Sequence, residues 1–133
     1  MTTILCIDDE TEIRKLLIEE FQDAGLKTLE AANGREGLEK ILTAWPDIVV
    51  CDVSMPVMTG HELLAEIQVN HPEFSNTPFI MLTAMTDKEN TLNGLKAGAD
   101  DYLTKPVDLD LLMAKISGCI ARLESNRKAG RGL

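Results

Sequence analysis

The sequence alternates between short β-rich runs and longer helical runs, and this alternation constrains the fold more than any other feature. Five apolar runs rich in β-branched residues are typical of buried strands, and the segments between them repeat apolar residues every three or four positions. Because strands separated by helices pair in parallel through right-handed crossovers, the pattern predicts an open parallel α/β sandwich. The predicted strands cover residues 3–7, 27–32, 47–52, 78–83 and 101–104.

The predicted helices have clear ends as well as apolar faces. Gly25 and Gly98 supply C-terminal stops, and Pro46 ends the second helix. We expect one domain over residues 1–124, and a mobile basic tail or the start of a linker over residues 125–133. The predicted helices cover residues 11–24, 34–45, 59–69, 86–97 and 108 to about 124.

Composition narrows the classes of function. The 133 residues fit one domain, and 13 basic against 22 acidic residues give a net charge of −9, which disfavours direct binding of nucleic acid. The sequence contains no apolar run near the roughly 18–20 residues of a membrane span, and its N-terminus lacks the pattern of a secretory signal. Cys6, Cys51 and Cys119 form no CxxC pair and are interpreted as small hydrophobic residues, so we expect a cytoplasmic protein.

Polar side chains follow four of the five predicted strands. The first strand ends on residues 8–10, Asp-Asp-Glu, the third on Asp52, the fourth on Thr83 and the fifth on Lys105. Ligands of open α/β sheets bind beyond the carboxyl ends of the strands, where these residues converge. The second strand ends on Glu30 and two alanines and contributes nothing comparable.

These groups predict a site for a single phosphoryl group. Clustered carboxylates repel one another and need a cation, and Mg²⁺ prefers such hard oxygen ligands. Lys105 adds a positive charge and Thr83 a hydroxyl donor, both suited to a phosphoryl group. The chain has neither GxxxxGK[ST] nor a GxGxxG after its first strand, which argues against a nucleotide. A carboxylate beside a metal ion can itself be the nucleophile and form an aspartyl phosphate.

Taken together, the motifs identify a family. Over about residues 3–123 the sequence resembles the receiver domain of two-component response regulators. This resemblance implies a flavodoxin-like (βα)5 fold, a doubly wound five-stranded parallel sheet in strand order 2-1-3-4-5, with residues 1–124 as the receiver domain. The matching motifs are Asp8-Asp9, the segment Asp52-Val-Ser-Met-Pro-Val-Met-Thr-Gly60, Thr83-Ala84, Gly98-Ala-Asp-Asp-Tyr102 and Lys105-Pro106.

The resemblance also implies the chemistry. Asp52 would be the phosphoacceptor, and the donor would be a histidine kinase or a histidine phosphotransfer protein. Lys105 would contact the acceptor carboxylate and then the phosphoryl oxygens, and its peptide bond to Pro106 is expected to be cis. The domain would not be an enzyme beyond phosphorylating itself from a donor and slowly losing the group again.

A metal site and a switch are implied in the same way. Asp9, Asp52 and the main-chain carbonyl of Ser54 would bind Mg²⁺, with Asp8 acting mainly through a water molecule. Thr83 and Tyr102 would form the switch pair, the hydroxyl moving toward the phosphoryl group while the aromatic ring turns inward. The face formed by residues 86–124 would then change and bind a downstream effector or an output domain. Pairing of two copies through this face is left open.

The sequence departs from the family pattern at two positions. Thr59 stands where relatives often have Asp, and because Thr is also a good N-cap we expect no effect. Met85 and Ser54 occupy positions that in the family influence how water reaches the phosphoryl group. Met can neither position nor polarise water, so we hypothesise a long-lived phosphorylated form.

Two other classes of function share parts of this pattern. A degenerate receiver would bind partners without phosphorylation, but all five site residues are intact. A phosphatase of the haloacid dehalogenase type would need a second Asp two residues after the nucleophile, where this chain has Ser54. His61 and His71 are interpreted as solvated helix residues without a role in metal binding or phosphotransfer, since neither has a Cys or a second His at ligand spacing.

Overall fold

Five strands form the centre of the domain. In the computed structural model, residues 1–84 and 99–131 are described, with side chains up to residue 126. The strands are β1 (Thr3–Ile7), β2 (Lys27–Ala31), β3 (Ile48–Asp52), β4 (Phe79–Ala84) and β5 (Asp101–Lys105). Each strand lies within one residue of its predicted ends, because the apolar runs are short and bounded by charged residues, Gly or Pro.

Four helices and one 3₁₀ turn belong to the described residues. Gly25, with φ +84°, follows the first helix as the predicted stop, since glycine adopts this left-handed conformation without a steric penalty. The helix predicted over 86–97 and its stop at Gly98 lie outside the described residues. The helices are α1 (Thr11–Asp23), α2 (Gly34–Ala44), α3 (Gly60–Asn70) and α4 (Leu109–Arg131), and the turn covers Pro72–Phe74.

The strands pair in the order β2-β1-β3-β4-β5, and all four pairings are parallel. Both the doubly wound sheet and its strand order are therefore confirmed. In this order the chain leaves β1 toward β2 on one side and continues from β3 to β5 on the other. The carboxyl ends of β1 and β3 thus lie side by side at the topological switch point, where ligands of such sheets bind.

Apolar side chains cover both faces of the sheet. All five residues of β3 are buried, which explains why this segment has the most continuous apolar run in the sequence. Residues of one strand alternate between two clusters: Leu5 and Ile7 belong to one, Ile4 and Cys6 to the other. All three cysteines are buried and free of disulfides, as expected.

The C-terminal helix is longer than predicted. It reaches Arg131 rather than ending near Glu124. The added segment contains Arg, Lys and Ala, which favour helix, and no proline to end it, whereas Gly130 costs only about 1 kcal/mol in a helix. The assignment of residues 125–133 to a tail or linker stays a prediction. Among the described residues, no helix is long and apolar enough to cross a membrane.

Candidate functional site

Four carboxyl groups meet at the carboxyl ends of β1 and β3. Asp8, Asp9 and Glu10 follow β1 and Asp52 ends β3, and one ligand oxygen from each lies within 4.8 Å of the others. Asp8 and Asp52 are buried, with 0% and 4% of their surface exposed, whereas Asp9 and Glu10 are exposed. The acidic residues singled out in the sequence therefore converge on one site.

Lys105 supplies the positive charge of this site. Its ammonium nitrogen lies 3.2 Å from Asp52 Oδ2, 3.4 Å from Asp8 Oδ2 and 3.1 Å from Glu10 Oε1. The Lys105–Pro106 peptide bond is cis, as the resemblance implies. The contact with Glu10 was not foreseen, because an acidic residue at the start of a helix has an ordinary explanation in the helix dipole.

Burial and neighbouring charges shift the pKa values of the site. Burial, followed by the nearby charge of Asp8, raises the pKa of Asp52 to about 6, although Lys105 opposes the shift. Burial also raises the pKa of Asp8. Burial alone would lower the pKa of Lys105, but the charges of Asp52 and Asp8 outweigh it and raise this pKa. Lys105 therefore stays protonated, while Asp52 loses its proton only near pH 6.

Arg14 holds the backbone beside Asp8. Its Nη1 donates to the Asp8 carbonyl oxygen at 2.7 Å and its Nε donates to Glu30 Oε1 at 2.9 Å. The backbone N–H of Glu10 donates to Asp8 Oδ1 at 2.9 Å. The second strand, which is expected to contribute nothing comparable to the other strand ends, thus supports the site indirectly through Glu30. The sequence gives only a weak indication of this role for Arg14, since an Arg on the first turn of a helix is usually exposed to solvent.

The loop between β3 and α3 folds closely around Asp52. The backbone N–H of Ser54, an exposed residue, donates to Asp52 Oδ1 at 3.3 Å. The N–H of Gly60 donates to the Val53 carbonyl at 2.9 Å, and a Cβ at Gly60 would lie 2.6 Å from the Asp52 carbonyl oxygen. Glycine is therefore required here by the close approach of the two backbones. We refer to residues 53–59 as the acceptor loop.

Thr59 caps the helix that follows this loop. Its hydroxyl accepts from the Glu62 N–H at 3.1 Å, and Glu62 Oε1 accepts from the Thr59 N–H at 3.0 Å. These reciprocal bonds form a capping box and satisfy two backbone donors at the start of α3. The prediction that Thr59 serves as an N-cap is confirmed.

Val57, in the acceptor loop, adopts a backbone conformation that strains a β-branched residue. Its φ is +72° and its side chain is 72% exposed. We expect Val57→Gly to raise the free energy of unfolding by about 1 kcal/mol, since the strain removed exceeds the entropy that glycine loses on folding. Urea unfolding measures this difference.

Val69→Gly is the matched control for this experiment. Val69 is 75% exposed but lies in α3, where glycine is expected to destabilise by several tenths of a kcal/mol. If both substitutions destabilise equally, Val57 is not strained in solution.

Thr83 and Tyr102 lie on the neighbouring strands β4 and β5. Thr83 is 2% exposed, and its hydroxyl oxygen has no hydrogen-bond partner within the described part of the chain. Tyr102 pairs with Met81 in the parallel register and packs partly against the core. A buried hydroxyl without a partner is costly, so it indicates a group that is satisfied in another state or by a ligand. Met85, the other position expected to tune the site, lies outside the described residues.

His61 does not fit the interpretation of a solvated helix residue. Its Nε2 lies 2.6 Å from the Tyr102 hydroxyl oxygen, and the two rings are 5.9 Å apart. His61 is half-buried. The expectation failed because this contact joins residues on α3 and β5 that are far apart in the sequence, and only the fold brings them together.

The carboxyl cluster has the donor set of a magnesium site. Two buried and two exposed carboxyl groups meet here, and Lys105 is the cation that pairs with three of them among the described residues, which leaves an excess of negative charge. Carboxylate oxygens with open positions beside them suit Mg²⁺, which retains several water molecules. The residues present therefore fit this ion.

Comparison with known proteins gives consistent results. The family model described as "Response regulator receiver domain" matches residues 4–117. The probable transcriptional regulator ycf27 of Porphyridium aerugineum is 36% identical over 121 residues, which cover 91% of this chain and 49% of that protein. This chain thus spans about half the length of that relative.

Solved structures are similar over nearly their whole length. The receiver domain of the Francisella response regulator 1452 superimposes with a TM-score of 0.84 at 35% identity, covering 92% of this chain and 99% of the other. The chemotaxis response regulator CheY4 of Vibrio cholerae gives a TM-score of 0.82 at 35% identity, covering 90% and 98%. The arrangement of strands and helices described above is therefore shared with these proteins.

Proposed function

Because this chain belongs to the response regulator receiver domains, which are signalling domains of two-component systems, we propose that it receives a phosphoryl group on Asp52. The donor is a histidine kinase or a histidine phosphotransfer protein. A carboxylate oxygen of Asp52 forms the new P–O bond as the bond from phosphorus to the donor imidazole breaks, and the imidazole recovers its proton from solvent.

The contact between Lys105 and Asp52 is the observation that supports this proposal most. At 3.2 Å the ammonium is close enough to stabilise the carboxylate and, after transfer, the phosphoryl oxygens. A pKa of about 6 leaves Asp52 mostly ionised at neutral pH, so it can act as a nucleophile. Lys105 thus stabilises both the Asp52 carboxylate before transfer and the phosphoryl oxygens after it.

A divalent cation completes the proposed site. Asp9, Asp52 and the main-chain carbonyl of Ser54 would hold Mg²⁺, and Asp8 would act mainly through a water molecule. The ion would neutralise charge on the phosphoryl oxygens. The close approach of Asp8, Asp9 and Asp52 within 4.8 Å supports this ligand set.

The proposed signal passes through Thr83 and Tyr102. A phosphoryl oxygen on Asp52 offers the Thr83 hydroxyl the acceptor that it lacks among the described residues, and the Tyr102 ring fills the space that the hydroxyl leaves. We expect this change to alter residues 86–124, of which 86–98 lie outside the described residues, and so to control binding of an effector or an output domain. In physical terms, the charge added at Asp52 shifts the equilibrium between two conformations of Thr83 and Tyr102.

Mass spectrometry of the intact protein tests the proposal. Incubation with acetyl phosphate and Mg²⁺ is expected to add a single phosphoryl group, because acetate leaves as the Asp52 carboxylate attacks phosphorus. Asp52→Ala and a sample with the cation chelated are expected to show no adduct. The rate at which the adduct decays, compared with that of Met85→Glu, tests the hypothesis that Met85 gives a long-lived phosphorylated form.

Two other outcomes of this experiment would contradict the proposal. If no adduct forms and beryllofluoride also fails to bind, the domain is a degenerate receiver that binds its partners without phosphorylation. An adduct that survives Asp52→Ala would place the phosphoryl group on another residue and overturn the assignment of the acceptor.

A further inference from the structure

We infer that His61 is a positioning residue for the Tyr102 ring and that it stabilises the inward position of this ring in the switch proposed above. Residues on α3 and β5 meet here through a contact of 2.6 Å between His61 Nε2 and the Tyr102 hydroxyl oxygen. The inference deepens the proposed function and rests on it, because it concerns how the movement of Tyr102 is controlled.

The position of His61 makes it suited to this role. It is the second residue of α3, whose start is fixed by the capping box of Thr59 and Glu62. Gly60, directly before it, is held against the backbone of residues 52 and 53 by a hydrogen bond and by close packing. His61 is therefore attached through a short and rigid stretch of chain to the acceptor loop beside Asp52.

The phenol oxygen is the outermost atom of the tyrosine side chain and moves furthest when the ring turns. Rotation of Tyr102 about its Cα–Cβ bond carries this oxygen away from His61, so the contact must break before the ring can leave the position seen here. An intramolecular hydrogen bond of this kind stabilises the arrangement that contains it. Gly60, next to His61, lies against Met81 of β4, and β4 separates β5 from β3, so the contact holds the ring over β4 on the side of Thr83. His61 thus favours the inward position of the ring and with it the phosphorylated conformation.

The first measurement tests the contact without phosphorylation. Tyr102 is the only tyrosine of the chain, so 3-fluorotyrosine labels one site and gives one ¹⁹F resonance. We expect His61→Leu to shift this resonance and His61→Gln, which retains a hydrogen-bonding group, to shift it less. His71→Leu is the matched control, because His71 lies at the other end of α3 and its ring faces Glu73 at 3.9 Å.

The second measurement tests the effect of the contact on the switch. At limiting acetyl phosphate, His61→Leu is expected to slow phosphorylation of Asp52 about fivefold, since losing one hydrogen bond lowers the population of the competent conformation. Tyr102→Phe removes the phenol oxygen, and in that background His61→Leu is expected to have no further effect. A role confined to packing would not disappear when the hydroxyl alone is removed.

The two measurements separate the possible failures. An unchanged ¹⁹F resonance in His61→Leu would show that the contact does not exist in solution and would overturn the inference. A shifted resonance with an unchanged or faster phosphorylation rate would also overturn it, because His61 would then not stabilise the inward ring. If the unmodified chain takes up no phosphoryl group, the proposed function fails, and the inference about the switch fails with it. The ¹⁹F result still decides in that case whether His61 positions the ring. Thermal unfolding of each variant identifies any loss of the fold.

Discussion

Replacing Lys105 by methionine is expected to lower the rate of phosphorylation from acetyl phosphate by about a hundredfold or more. The Lys105 ammonium lies within 3.4 Å of carboxylate oxygens of Asp8, Glu10 and Asp52. Removing it raises the pKa of Asp52 further, because the charge of Lys105 is one of the causes that lower this pKa. The acceptor is then less ionised at pH 7, and the phosphoryl oxygens lose their cation.

Two further variants separate charge from geometry. Lys105→Arg keeps the charge in a wider and planar group, so an intermediate rate is expected. Lys115→Met removes a lysine whose partner is Asp101, away from the carboxyl cluster, and is expected to leave the rate unchanged. Phosphorylation is followed by intact mass at saturating Mg²⁺. A rate for Lys105→Met within threefold of the unmodified protein would exclude the proposed role of Lys105.

The convergence of Asp8, Asp9, Asp52 and Lys105 could be predicted from the sequence because it depends on local features only. Each residue follows an apolar run that is recognisable as a strand, and the topology of parallel α/β sheets brings the carboxyl ends of such strands to one edge. The capping role of Thr59 could be predicted for the same reason, since it requires only residues of the following turn.

The contacts between elements could not be predicted. Arg14 reaches both the Asp8 carbonyl and Glu30 on β2, and His61 reaches Tyr102 on β5. Such pairs depend on the packing of helices on the sheet and on side-chain conformations, neither of which produces a periodic signal. The strain at Val57 could not be predicted either, because a β-branched residue in a loop gives no indication of a positive φ.

Asp52→Asn is expected to change how the stability of the cation-free protein depends on pH. The pKa of Asp52 is raised from 3.8 to about 6, with burial as the first cause and the charge of Asp8 as the second. A carboxyl group whose pKa is higher in the folded state binds its proton more tightly there than in the unfolded chain. The stabilisation that protonated Asp52 gives the folded state is therefore complete below about pH 4 and is lost as the pH rises to 6 and above.

The size of this loss follows from the shift in pKa. A shift of about two units corresponds to roughly 3 kcal/mol, and no large correction for solvent applies because Asp52 is only 4% exposed. Asparagine carries no such charge, so the variant is expected to unfold with a free energy up to about 3 kcal/mol higher than the unmodified protein at pH 7. The advantage disappears near pH 4.

Urea unfolding in the presence of a chelator, repeated between pH 4 and 8, measures the difference between the two proteins. Asp23→Asn is the matched control, since Asp23 is an exposed carboxyl group at the end of α1. If the difference in free energy of unfolding between Asp52→Asn and the unmodified protein does not vary with pH, the ionised form of Asp52 is not destabilised in the folded state. A difference that rises between pH 4 and 6 would mean that the fold holds a carboxylate at a cost to its own stability. The proposed binding of a divalent cation to the folded state would then recover part of that cost and link occupation of the site to the stability of the whole domain.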